Sequence, residues 1–232
     1  MVTPLSTPSG TAGPREAERS AAGFRPTLVL LYDWVYAVYM SGRLTTRRIA
    51  AAARRLLNNE GTEAVTMRRV AEAVGITPMA VYRHYPNRAG LLNALADKGF
   101  EELAASLANR RFSGSLETRL ANMVEIYLDH ALQNPRLFEL MFLKPREGAR
   151  RHPRDFKAGG SPTATLMAKV VREGMETGCF GGDDVWEIVF EMGALSHGLI
   201  MLYLGGRVDM TPARFRALYR RAFRRYIHGI CN

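Results

Sequence analysis

The chain has 232 residues, 47% hydrophobic and 23% charged, with a formal net charge of +10. These values fit a soluble globular protein of one large or two small domains with a buried core. The basic balance calls for an anionic partner, and two cysteines, Cys179 and Cys231, without paired spacing exclude a disulfide framework in favour of reduced thiols.

Residues 1–23 are rich in Ser, Thr, Pro, Gly and Ala without periodicity and read as a disordered tail. The run 28–40, LVLLYDWVYAVYM, is apolar nearly all round. It is too short to span a membrane, contains Asp33, and precedes no small-residue cleavage signal. It reads as an extra helix that buries both faces, so no membrane role is expected. A first domain helix starts at Thr45 or Thr46, carries Ile49, Ala50, Ala53, Leu56 and Leu57 on one stripe, and stops at Gly61. Arg43, Arg47 and Arg48 at its start suit a phosphate or minor groove, or equally a solvated face.

From Thr66 to Tyr85, TMRRVAEAVGITPMAVYRHY, one helical pattern breaks at Gly75 and another restarts at Thr77-Pro78. That is the outline of a helix-turn-helix. Thr66 and Thr77 are N-caps, and Pro78 occupies the first helical position, where its missing N–H is harmless. Val70, Ala71, Val74, Ile76, Val81 and Tyr85 supply the apolar side; Arg68, Arg69, Arg83, His84 and Arg88 are left outside. Residues 42–90 hold nine Arg and three Glu, with no Lys or Asp, a balance suited to a polyanion.

The segment 45–97 resembles the DNA-binding domain of the tetracycline-repressor (TetR) family. The likeness rests on Glu60-Gly61, Val65-Thr66, Val70-Ala71, Val74-Gly75-Ile76, Val81-Tyr82-Arg83-His84-Tyr85 and Asn87-Arg88 followed by Leu91-Leu92. The resemblance implies an all-α fold: a helix-turn-helix domain over 42–90, preceded by the tail and extra helix of 1–41. A helical-bundle ligand-binding and dimerisation domain follows over 91–232. It further implies that Arg68, Pro78, Met79 and Ala80 face bases, and that Thr66, Tyr82, His84 and Arg88 hold phosphates, with Arg47 and Thr77 beside them. Arg68 can pair with guanine, whereas Met79 and Ala80 offer only apolar contact, so readout leans on Arg68 and DNA shape. Tyr82 and His84 also have a plain reading as packing residues.

Farther along, Asn87 to about Asn109 reads as a connecting helix, and 116–134 as a helix striped by Leu120, Val124, Tyr127, Leu128 and Ala131. Pro135 opens a short helix with Leu137, Phe138, Met141 and Phe142; 144–160 is a polar loop whose basic residues face solvent. Ser161-Pro162 starts a helix ended by Gly178. The helix from Asp184 to Leu204 is apolar all round and is expected to be buried on both sides, one against a second subunit. Thr211-Pro212 opens a last helix with Phe215, Leu218, Tyr219, Ala222, Phe223, Tyr226 and Ile227 inside and arginines outside.

Enzyme signatures are lacking: His84, His130, His152, His197 and His228 have no metal-ligand spacing, and no nucleophile elbow or phosphate loop is present. No cofactor or metal is expected. An effector cavity is expected from Tyr127, Phe138, Met141, Phe142 and Met167 facing Phe190, Ala194, His197 and Met201, a mainly apolar lining with one polar handle. His197 reads equally as a hydrogen-bonded core residue. The function implied by the resemblance is a cytoplasmic homodimeric repressor that binds a palindromic double-stranded DNA operator and is released by a small hydrophobic effector. A non-specific, nucleoid-type DNA-binding protein is the alternative, and an all-α enzyme with an appended DNA module a further one.

Overall fold

The computed structural model describes residues 25–146, 148–181 and 184–231, with side chains from Gly42 onward. The expected disorder of 1–23 and the burial of the faces of 28–40 lie outside the described residues. The chain divides into two compact units, 1–48 and 49–232. Helix α1 spans Arg25–Glu60, so no new helix begins at Thr45 or Thr46. Within the first unit the Thr46 hydroxyl donates to the Gly42 carbonyl at 3.0 Å, a back-bond one turn long. The Ser41-Gly42 pair is absorbed inside the helix.

In the second unit, α1 ends before Gly61, whose φ of 93° only glycine adopts without strain. A 3-10 turn, Thr62–Ala64, leads to α2 (Met67–Val74) and α3 (Pro78–Tyr82). Thereafter come α4 (Arg88–Ala108), α5 (Leu116–Gln133), α6 (Pro135–Phe142), α7 (Arg154–Lys157), α8 (Pro162–Glu176), α9 (Val185–Leu204) and α10 (Pro212–Ile230). Side-chain caps start most of the longer helices: Asn87 for α4, Ser115 for α5, Asp184 for α9 and Thr211 for α10. Among the described residues the β structure is one isolated bridge, Phe180 to Cys231, and the fold is all-α.

The C-terminal helical bundle is built around α5, which packs on α4, α6, α8, α9 and α10. Its core includes Leu120, Val124 and Leu128 against Phe215, Tyr219 and Phe223, all buried. The Tyr219 hydroxyl donates to the Val124 carbonyl at 3.0 Å and also bonds Ser196, which ties α10 to α5 and α9 at a dry point. Between α4 and α6 the backbones come close at Gly99, where any Cβ would stand 2.6 Å from the Met141 sulfur. In the polar loop 144–160 Lys144, Arg150, Arg151, Arg154 and Lys157 are exposed as expected, while the Arg146 side chain is an exception. Arg146 is only 7% exposed, paired with Asp97 at 2.9 Å and held 5.3 Å over the Phe100 ring.

Candidate nucleic-acid interface and effector cluster

The helix-turn-helix is held by contacts local to its sequence. The Thr66 hydroxyl accepts from the Arg69 N–H at 3.2 Å, and the Thr77 hydroxyl from the Ala80 N–H at 3.2 Å. Gly75, at φ 75° and ψ 38°, makes the left-handed turn that ends α2. Met67, Val70, Ala71, Val74 and Val81 are buried behind it. The first helix is locked on by Arg69, whose guanidinium meets the Glu60 carboxylate through two bonds of 2.8 Å. This bidentate pair holds the Glu60 carboxyl below its ordinary pKa. It removes Arg69 from the set of free cations.

What stays outside is specific. Met79 is 66% exposed and Tyr82 46%, both on α3, with Thr77 and Pro78 also exposed and Ala80 and His84 half-buried. Arg68 is exposed and bonds no described residue. Arg47 is exposed in the first unit. Thr66 is consumed as a cap, so its hydroxyl serves α2 first.

Arg88 departs from the expectation of an outward phosphate-binding residue. Its Nε donates to the Val65 carbonyl at 2.8 Å and its Nη2 to the Thr62 carbonyl at 2.7 Å, with Glu63 at 3.2 Å. The guanidinium is a brace between the start of α4 and the 3-10 turn, sharing the Thr62 carbonyl with the Val65 N–H, which donates to it at 3.1 Å. Two further contacts join the reading unit to the bundle. Arg54 of α1 donates to Asn134 at 2.9 Å, and Arg136 to the Asn58 carbonyl at 3.2 Å. His130, buried beside this joint, has its pKa lowered, first by burial, with Glu102 opposing and Arg54 adding to the effect.

Four of the expected effector residues do meet. Phe138 stacks on His197 with centroids 5.4 Å apart, Phe142 lies 4.7 Å from Phe138 and 5.3 Å from His197, and Tyr127 stands 5.4 Å from Phe138. The Tyr127 hydroxyl is 3.5 Å from His197 Nδ1, a long contact. Burial keeps the phenol protonated and pushes the imidazole pKa down, and which of the two donates depends on the tautomer of the neutral imidazole. Phe100, which the leucine stripe of its helix concealed, belongs to the same cluster, 5.1 Å edge-on from Phe142.

The other expected members are elsewhere. Phe190 is 47% exposed and stacks on His152 at 4.3 Å. It shares an azimuth with His197, but seven residues put it roughly 10 Å along the helix, beyond the reach of α6. Ala194 is exposed, and Met141 is buried with its sulfur toward Gly99. Met167 and Met201 are half-buried against the core. Nor is α9 covered all round: Ile188, Val189, Met192 and Ile200 are buried, while Phe190, Ala194, Gly198 and Leu202, 50% exposed, form an open stripe four residues apart. By length and composition α9 meets the test for a membrane-crossing helix, yet its inner side is core. Among the described residues no group of three His, Cys, Asp or Glu is placed to hold a metal.

Two family models match the chain: residues 43–95 match the model described as bacterial regulatory proteins, tetR family, and residues 120–226 that of the tetracyclin repressor-like C-terminal domain. The nucleoid occlusion factor SlmA of Vibrio cholerae is 32% identical over 95 residues, covering 40% of this chain and 48% of that protein. The HTH-type transcriptional repressor DrrR1 of Streptomyces coeruleorubidus is 31% identical over 133 residues, 53% of this chain and 46% of that one. The chain thus spans about half the length of the curated relatives it matches. A solved structure of a protein of unknown function from Rhodococcus superposes with a TM-score of 0.68 at 26% identity, over 81% of this chain and 95% of that one. With the reading unit and most of the bundle both matched in the order seen here, the chain belongs to the TetR family of bacterial regulatory proteins.

Proposed function

We propose that the chain is a cytoplasmic transcriptional repressor that binds a palindromic operator as a homodimer and releases it on binding a small, mainly apolar effector. The observation that carries the reading is the outer side of the helix-turn-helix: Arg68 with no bond to a described residue, and Met79 and Tyr82 open on a capped recognition helix. Arg68 supplies the bidentate donor for guanine, Met79 an apolar contact for a thymine methyl, and Tyr82 and His84 the phosphate contacts that set register. The helix N-terminus enters the major groove, and two copies place two such helices one DNA turn apart.

The effector reading rests on the ring cluster of Tyr127, Phe138, Phe142 and His197. An aromatic or otherwise hydrophobic molecule enters by displacing Phe142, the exposed member, and takes the place of one ring against Phe138 while His197 gives it one hydrogen bond. The cluster and the Arg54–Asn134 joint sit on the same α5–α6 corner, so a shift there shifts the equilibrium between DNA-competent and released forms. The similarity to nucleoid occlusion factors supports a second reading, a DNA-binding role without transcriptional control. Selection of duplexes from fragments of the genome that encodes it, by the full-length chain, tests both. Enrichment of one palindrome next to a promoter supports repression, and binding sites scattered without relation to promoters support the second.

A further inference from the structure

Cys179 and Cys231 are far apart in sequence and neighbours in the fold. Phe180 and Cys231 form the isolated antiparallel bridge, and beside it the Gly181 N–H donates to the Ile230 carbonyl at 3.1 Å. Bridged residues stand about 4.5–5.5 Å apart at Cα, which puts Cys179, one position along, about 6 Å from Cys231. A disulfide needs roughly 4.4–6.8 Å between its Cα atoms. Both side chains are free thiols and both are exposed.

The backbone is fixed on both sides of the pair. After the left-handed turn at Gly178, the Cys179 and Phe180 N–H groups both donate to the Gly174 carbonyl, at 2.8 and 3.1 Å. The buried Phe180 ring lies on Gly174, where any Cβ would collide with it. Opposite, Cys231 caps the end of α10, its N–H donating to the Ile227 carbonyl at 3.2 Å. A regular strand would send the side chains of 179 and 180 to opposite faces, but Cys179 belongs to the tight turn and not to a strand. The two thiols act on each other. Burial first, and then negative charge on Cys179 and Glu117, pushes the Cys231 thiol up.

We propose that Cys179 and Cys231 are a reversible redox pair, whose disulfide staples the end of α10 to the turn that follows α8. The oxidant is a low-molecular-weight disulfide. The Cys179 thiolate attacks one of its sulfurs, the S–S bond of the small molecule breaks, and one small thiolate leaves. Cys231 then gives up its proton and attacks the Cys179 sulfur of the mixed disulfide, expelling the second small thiolate. Two protein thiols lose two electrons, the small disulfide becomes two thiols, and the protein's two thiol protons pass to the leaving thiolates. The closed loop contains α9 and α10 whole, so the bond restrains both helices against α8. An exposed pair of this kind opens and closes with the thiol poise of its surroundings, unlike a framework disulfide. The pair does not depend on whether the chain represses transcription.

Equilibration of the full-length protein with graded ratios of oxidised to reduced glutathione, read by intact mass and peptide mapping, tests this. The expected product is one chain that has lost two hydrogens, with the peptides of Cys179 and Cys231 linked, and excess reduced glutathione is expected to reopen it. Cys231→Ser is expected to stop at the mixed disulfide of Cys179, and Cys179→Ser to form no link. The urea midpoint of the linked protein is expected to rise by about 1 M over the reduced form, because a long loop is closed in the unfolded chain. Both serine variants are expected to keep the midpoint of the reduced form under oxidising conditions. Wild-type protein that carries two separate glutathiones without a link overturns the proposal. So does a bond that joins two chains on a denaturing, non-reducing gel, or a linked form whose urea midpoint does not rise.

Discussion

Arg68 and Arg88 lie at either edge of the helix-turn-helix, the first exposed and the second turned back onto backbone carbonyls. Arg68 is expected to read a base, so Arg68→Ala should reduce discrimination at one G·C pair by about 1–3 kcal/mol in competition binding, sparing random DNA. Equal loss on every duplex contradicts that role. Arg88 braces the Thr62 and Val65 carbonyls, so Arg88→Ala should lower stability by about 1–3 kcal/mol in urea unfolding. A phosphate role alone would leave the urea midpoint unmoved. The caps at Thr66 and Thr77 were legible in the sequence because a cap and the N–H that donates to it lie three residues apart. The task of Arg88 was not, since its partners lie 23 to 26 residues earlier in the chain.

Among the elements, α5 and α9 each carry a histidine that makes stability depend on pH. His130 and His197 both have pKa values below the ordinary 6.5, burial being the first cause in each. Between 6.5 and those lower values the unfolded chain binds more protons than the folded one, so stability falls as pH drops through this window. Urea midpoints are expected to decline from pH 7.5 to 5.5, less steeply in a His130→Gln, His197→Phe double variant, and a flat wild-type profile contradicts the burial of neutral imidazoles. His197→Ala should abolish effector-induced release while the unliganded protein still binds operator. Retention of release at unchanged effector concentration makes His197 a core residue. Helix periodicity brought Tyr127, Phe138, Phe142 and His197 to one place, but it carries azimuth and not height. For that reason Phe190 was assigned to a cluster that it overshoots by two turns.

At the level of the whole molecule, the open stripe on α9 is the feature that a single chain does not explain. Phe190, Ala194, Gly198 and Leu202 expose apolar surface on a helix whose other side is core. Burying it against a second copy is favourable at about 25 cal/mol per Å² of apolar area removed from water. Sedimentation is expected to show a dimer at micromolar concentration without DNA, and Leu202→Glu to shift it toward monomer; a monomeric wild type contradicts the pairing. The all-α class and the order of helices were readable from pattern and caps. The run-through of α1 past Ser41-Gly42 was not, because nothing in those two residues forces a helix to stop. Specific operator binding is tested most directly by one comparison: the affinity of the full-length protein for a selected palindrome against a scrambled duplex of equal length, at one physiological salt concentration. A ratio of about 10³ or more is the result expected of a specific repressor, and a ratio near one, with the same salt dependence for both duplexes, would contradict it.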